Sequence, residues 1–190
     1  MYAREEVARK KVVIAVAWDT RWMKIRKAEP EDALHVARVH VRAWQAAYKG
    51  LLPEEYLAGL RVEDRAARYD FATRDATKPQ TLVAVEGDAI VGFATTSPSR
   101  DEDLSDYGEL GALYVEPERW GSGVGRELMA AARGQLAGQG FKDALLWVLV
   151  GNARAERFYG ADGWRADGQR RMETVWGVTV DEVRYVRELG

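Results

Sequence analysis

The chain has 190 residues, 47% apolar and 31% charged, with a formal net charge of −2, no cysteine and two histidines. At about 150 residues per domain this means one domain with a small appendage, and the missing cysteine excludes disulfides, thiolate metal sites and a cysteine nucleophile. His35 and His40 miss the i, i+4 spacing of a helical metal pair, the near-neutral charge argues against nucleic acid as partner, and no apolar run nears the ~20 residues of a membrane span; a cytoplasmic chain with no metal and no membrane contact is expected.

Residues 1–22 differ from the rest. Arg9, Lys10 and Lys11 precede the apolar run Val12–Trp18, but Glu5 and Glu6 spoil the basic start and the run is short for a signal peptide. The segment reads as an N-terminal extension, an arm or an extra edge strand, ahead of a domain over 23–190. Met23–Ala28 alternates as a first strand. Pro30 fits a first helical turn, and Leu34, Ala37, Val41, Trp44 and Tyr48 then mark one helical face, which Gly50 ends. His40 lies off that stripe and is expected at the surface or boundary. Pro53 starts a short helix through Leu57 and Leu60, and Val62–Thr73 reads as a further helical piece. Thr81–Val85 and Ile90–Thr96 form a hairpin across Gly87-Asp88. A polar loop leads to strand Glu109–Val115, then a helix from about 123 to 137 carrying Val124, Leu128, Ala132 and Leu136. Ala144–Val150 is almost continuously apolar, as for a strand covered on both faces. Asn152 is placed to cap a short helix through Tyr159. A hairpin of Trp164–Val175 and Val178–Glu188 closes the chain; its exposed strands suit a homodimer. The sum is an α/β fold: one mixed sheet with helices on both faces, containing a right-handed βαβ unit over 109–150.

The turn Trp120-Gly121-Ser122-Gly123-Val124-Gly125-Arg126 joins strand to helix inside that unit. A helix start exposes unpaired amides and a positive dipole end, and glycines let an anion come close. The turn is therefore either a phosphate cradle or simply a tight connection. It is not the dinucleotide fingerprint, because Arg126 replaces the third glycine, nor a nucleotide P-loop, because no Gly-Lys-Ser/Thr follows.

Leu113-Tyr114-Val115-Glu116-Pro117 followed by Arg119–Met129 resembles the acetyl-CoA segment of the GCN5-related N-acetyltransferases. Asn152-Ala153-Arg154-Ala155-Glu156-Arg157-Phe158-Tyr159, with Gly163-Trp164, resembles the same family's second motif. Trp120 stands where the family usually has Gln or Arg, and Trp164 replaces a Phe; neither removes a backbone donor. The resemblance implies a centrally splayed sheet and transfer of acetyl from acetyl-CoA directly to a primary amine of a small molecule or peptide, without a metal. It implies that amides from Gly121, Ser122, Gly123, Val124, Gly125 and Arg126 hold the pyrophosphate. The backbones of Leu113 and Val115 would pair with the pantetheine arm. Tyr159 would protonate the leaving thiolate, or it is a packed ring beside Phe158. Glu109 would be the base, or it is a solvated strand-end charge. Asn152 caps its helix and in the family also contacts the pantetheine. Trp44, Tyr48 and Trp176 fall where the family builds its acceptor pocket, although aromatic stripes are more often core. A non-catalytic CoA-binding sensor of the same fold is the alternative.

Overall fold

The computed structural model describes residues 23–190; the N-terminal extension and its proposed edge strand lie outside the described residues. The strands are β1 (Met23–Lys27), β2 (Gln80–Glu86), β3 (Ala89–Pro98), β4 (Gly108–Val115), β5 (Asp143–Leu149), β6 (Arg165–Val175) and β7 (Val178–Glu188). The helices are α1 (Ala33–Ala47), α2 (Glu54–Ala58), α3 (Val62–Ala66), α4 (Val124–Gly138) and α5 (Ala153–Ala161). All seven strands join one sheet in the order β1-β2-β3-β4-β5-β7-β6. Only β4 and β5 are parallel, with α4 as their crossover; the remaining neighbours are antiparallel.

Helix α4 covers one face. Its Val124, Leu128, Met129, Ala132 and Leu136 pack on Ala84, Val91, Ala94 and Leu110. Helix α1 covers the other face, where Val36 and Val39 meet Val83 and Phe93. Gly92 lets β3 approach α4: a Cβ there would stand 2.9 Å from Leu128 Cδ1 and 3.0 Å from the Tyr114 carbonyl. Gly92→Ala therefore overpacks this contact and is expected to cost about 1–3 kcal/mol, read as a lowered denaturation midpoint; an unchanged midpoint would mean that the helix shifts freely.

The sheet opens between β4 and β5. These strands pair only at Gly108↔Ala144 and Glu109↔Leu145, and then diverge. Just past that point β4 carries a bulge. Thr95 faces Ala112 and Thr96 faces Leu110, so Gly111 has no partner on β3. A bulge bends and twists its strand, which accounts for β4 leaving β5.

Two expectations are corrected here. The helix expected over Val62–Thr73 stops at Ala66. Tyr69 and Phe71 beyond it stack on each other at 5.0 Å and pack toward Phe93, and the Ala72 amide bonds the Asp70 carboxylate. Ring burial and a local turn override helical propensity there. The second concerns α1. Leu34 is 43% exposed, whereas His40 is buried at 4%. The helix is clamped between β3 and the β6–β7 tip, so its buried face is wider than the assumed stripe.

Candidate active site

The gap between β4 and β5 opens a cleft of about 770 Å³ that passes through the sheet. His40, Trp44 and Tyr48 line it from the α1 side, and Gly121, Gly123, Gly125, Phe158 and Tyr159 from the α4–α5 side.

The register decides where the strand edges point. The Glu116 amide donates to the Val91 carbonyl, which makes Gly92↔Val115 a non-hydrogen-bonded pair. The polar backbone groups of Val115, and by alternation of Leu113, then face away from β3, into the gap. The Val150 amide bonds the Asp181 carbonyl, so Leu149 and Trp147 of β5 likewise turn their backbone toward the gap. Both walls thus present main-chain donors and acceptors to whatever enters. The Val115 carbonyl is partly engaged by Trp120, whose Nε1 donates to it at 2.9 Å.

At one mouth is the glycine turn. Gly121 and Gly123 have φ of 79° and 102°, a region that favours glycine. The Ser122 amide donates to the Arg119 carbonyl and the Arg126 amide to the Gly123 carbonyl, so those two members of the predicted cradle are already engaged. The Gly121, Gly123, Val124 and Gly125 amides make no backbone bond among the described residues. They form a concave group of donors at the start of a 15-residue helix, which suits an anion. The Arg154 guanidinium lies 3.5 Å from the Trp120 ring centroid. Arg126 also lines this end of the cleft, as does Arg119, whose Nε pairs with Glu86 at 2.9 Å, so Arg126 and Arg154 supply the positive charge here.

Asn152 is the predicted cap: its side chain accepts from the Ala155 amide at 3.1 Å. Helix α5 so anchored carries Tyr159, which the Phe158 and Trp164 rings hold at 5.4 and 6.4 Å. Burial pushes the Tyr159 phenol well above its ordinary range, and the nearby Tyr114 adds to this. Tyr48 and Tyr114 meet hydroxyl to hydroxyl at 3.3 Å, and burial raises both.

Glu109 is not a solvated strand-end charge. It is 4% exposed and takes Arg100 Nη2 at 3.0 Å and Nε at 3.2 Å. Sequence reasoning missed Glu182 on β7, which lines the same stretch and accepts from Arg171 Nε at 2.9 Å. Burial raises the Glu182 carboxyl, against the pull of Arg171, and Glu109 lies close enough to add to the rise. Glu182 sits in a period-2 strand with no motif around it, so only the fold reveals it. Trp44 and Trp176 stack at 5.5 Å and close the far end beside His40. Among the described residues no group of three His, Asp or Glu could hold a metal, and no helix is long and apolar enough to cross a membrane.

A mixed sheet parted between its two parallel strands, with helices on both faces, is the architecture of the acyl-CoA N-acyltransferases. The comparisons agree. Residues 41–164 match the model of the acetyltransferase (GNAT) family, and the chain belongs to that family; it is an N-acetyltransferase. The uncharacterized N-acetyltransferase YuaI of Bacillus subtilis strain 168 is 32% identical over 133 residues, 67% of this chain and 72% of its own length. The fold matches the PaiA N-acetyltransferase of Thermoplasma acidophilum in complex with coenzyme A, with TM-score 0.66 and 21% identity over 84% of this chain and 97% of that one. It also matches the putative acetyltransferase YncA of Salmonella typhimurium with acetyl-CoA, with TM-score 0.66 and 20% identity over 88% and 94%.

Proposed function

We propose that this protein transfers acetyl from acetyl-CoA directly to a primary amine inside the β4–β5 gap. The observation that carries the reading is the gap itself: two strand edges with free main-chain groups, ending at a cradle of four unpaired amides. That pattern fits a diphosphate joined to an amide-bearing arm. The Gly121, Gly123, Val124 and Gly125 amides would hold the diphosphate, with Arg126 adding charge. Leu113 and Trp147 would pair with the arm as neighbouring strands do. The Val115 amide, its carbonyl already tied to Trp120, supplies a donor for the thioester oxygen as it gains charge.

The attacking amine must lose a proton and the leaving sulfur must gain one. Glu109 and Glu182 stand on the acceptor side, each beside a guanidinium, and burial raises the Glu182 carboxyl, which makes it the better proton acceptor. Glu182 takes the amine proton. Tyr159, kept protonated by burial, donates to the sulfur as the carbon–sulfur bond breaks. Glu182→Gln is expected to lower kcat more than tenfold at pH 7 and to lose less at high pH, where more amine is already neutral. Glu109→Gln falling equally at all pH would restrict Glu109 to holding Arg100.

Calorimetric titration with acetyl-CoA, followed by thiol release across a panel of primary amines, tests the reading. Binding in the micromolar range with release on at least one amine is expected. No binding at millimolar acetyl-CoA contradicts the site; binding without release on any amine favours a CoA-responsive sensor.

A further inference from the structure

The acetyl-transfer reading does not use a group of polar atoms beneath the β6–β7 tip. Arg65 on α3 is 5% exposed, and the groups that face it are the Tyr56, Tyr69 and Tyr114 hydroxyls and Arg68, with no carboxylate among them. Its guanidinium lies on the Trp176 ring and 5.3 Å from the Trp44 centroid, and its Nη1 has no hydrogen-bond partner. Burial pulls Arg65 down to about 10, so it stays charged at neutral pH. Aromatic faces offset only part of the cost of burying a charge.

His40 lies beside it. Its Nδ1 is 2.6 Å from the Tyr69 hydroxyl and its Nε2 has no partner. Burial, then the Arg65 charge, pull its pKa well down, so the ring is neutral. Arg65 also attracts the Tyr69 oxygen. Tyr69 has a hydroxyl hydrogen to give, and the arrangement in which it donates to Nδ1 leaves the hydroxyl's lone pairs for the positive field of Arg65. By that reasoning Nε2 carries the ring proton. Both unpartnered atoms are then donors, and one belongs to a cation. Any acceptor oxygen could take both hydrogens, but only an oxyanion also offsets the buried positive charge. A cationic ligand is disfavoured, because Arg65 already occupies the faces of Trp44 and Trp176.

His40 and Trp176 line the acceptor end of the cleft, and Arg65 lies against the same Trp176 ring. Trp176 is the one non-glycine described residue at positive φ, in a two-residue turn with Gly177. Tyr56 donates to its carbonyl at 3.3 Å, which fixes the backbone and leaves the ring its side-chain torsions. We infer that the acceptor carries an oxyanion, a carboxylate or a phosphate, as well as its amine, and that Arg65 and His40 seat it when the Trp176 ring turns aside. This rests on the acetyl-transfer reading above.

The test uses three acceptors with the same primary amine, bearing a carboxylate, a phosphate or a neutral amide. Wild type is expected to favour one oxyanion over the amide by roughly tenfold to a hundredfold in kcat/KM, chiefly through KM, as for a charged hydrogen bond; the preferred one names the group. Arg65→Gln brings that ratio to about one and Arg65→Lys restores part of it. Trp176→Ala, which bares the guanidinium, keeps or raises the ratio even if Arg65→Gln does not fold. Equal rates on all three acceptors overturn the inference while leaving acetyl transfer intact. If none of the three is acetylated, the amine panel above judges acetyl transfer, and calorimetry with the amine-free carboxylate and phosphate judges the seat: binding to wild type that Arg65→Lys weakens supports the oxyanion seat, and no binding overturns it. A stability loss in Arg65→Gln with an unchanged ratio assigns Arg65 to packing alone.

Discussion

Tyr159→Phe is expected to lower kcat by about 10²–10³, within the usual range for loss of a positioned proton donor, and to leave acetyl-CoA affinity nearly unchanged. The ring keeps its place in this variant, because its contacts are with Phe158 and Trp164 and its carbonyl accepts from the Trp164 amide. Only the hydroxyl is lost. Burial holds the wild-type phenol protonated well beyond the ordinary tyrosine range. The wild-type rate should therefore rise with pH as the amine deprotonates and show no alkaline fall from Tyr159 below pH of about 10. Steady-state thiol release at several pH values checks both points. Unchanged kcat in Tyr159→Phe would reduce the residue to a packed ring. An alkaline limb near pH 8 that disappears in Tyr159→Phe would mean that the phenol is far more acidic than its surroundings imply.

Gly123→Asp should abolish cofactor binding. Two effects add. Gly123 precedes α4 with φ of 102°, where any side chain is strained by about 1 kcal/mol. The new carboxylate would also face the diphosphate from inside the cradle, and like charges about 4 Å apart repel by about 4 kcal/mol near a surface. Gly123→Ala separates the two, since it carries the strain without the charge. The expected order of acetyl-CoA affinity by calorimetry is wild type, then Gly123→Ala a few-fold weaker, then Gly123→Asp below detection. A folded Gly123→Asp protein that binds normally would place the diphosphate elsewhere.

What the sequence disclosed follows from the range of the interactions involved. The cap at Asn152, the tight glycine turn before α4 and the apolar stripe of Val124, Leu128, Ala132 and Leu136 are set by neighbours within a turn or two, and the folded chain keeps all of them. The hairpin at Gly87 and the crossover helix are equally local. His40 shows the opposite case. Its burial depends on Phe93 and Tyr114 of two strands and on Trp176 at the far end of the chain, and no helical periodicity within α1 reports them. Val62–Thr73 was misread for the same reason, because Tyr69 and Phe71 answer to Phe93 rather than to their own helix. The acceptor side is the extreme example. Glu182, Arg171 and Trp176 come from separate elements, and they meet only at the cleft where β4 diverges from β5 beyond Glu109. The strand-edge roles of Leu113 and Val115 came from family resemblance, and the register adds a physical basis: their backbone groups face the gap.

The most direct measurement is the electron density of a crystal soaked with coenzyme A. A diphosphate is expected against the Gly121–Gly125 amides and an extended arm between Leu113 and Trp147, with β4 and β5 still parted beyond Glu109. An empty cradle at saturating ligand, or β4 and β5 joined along their full length, would contradict the proposed site.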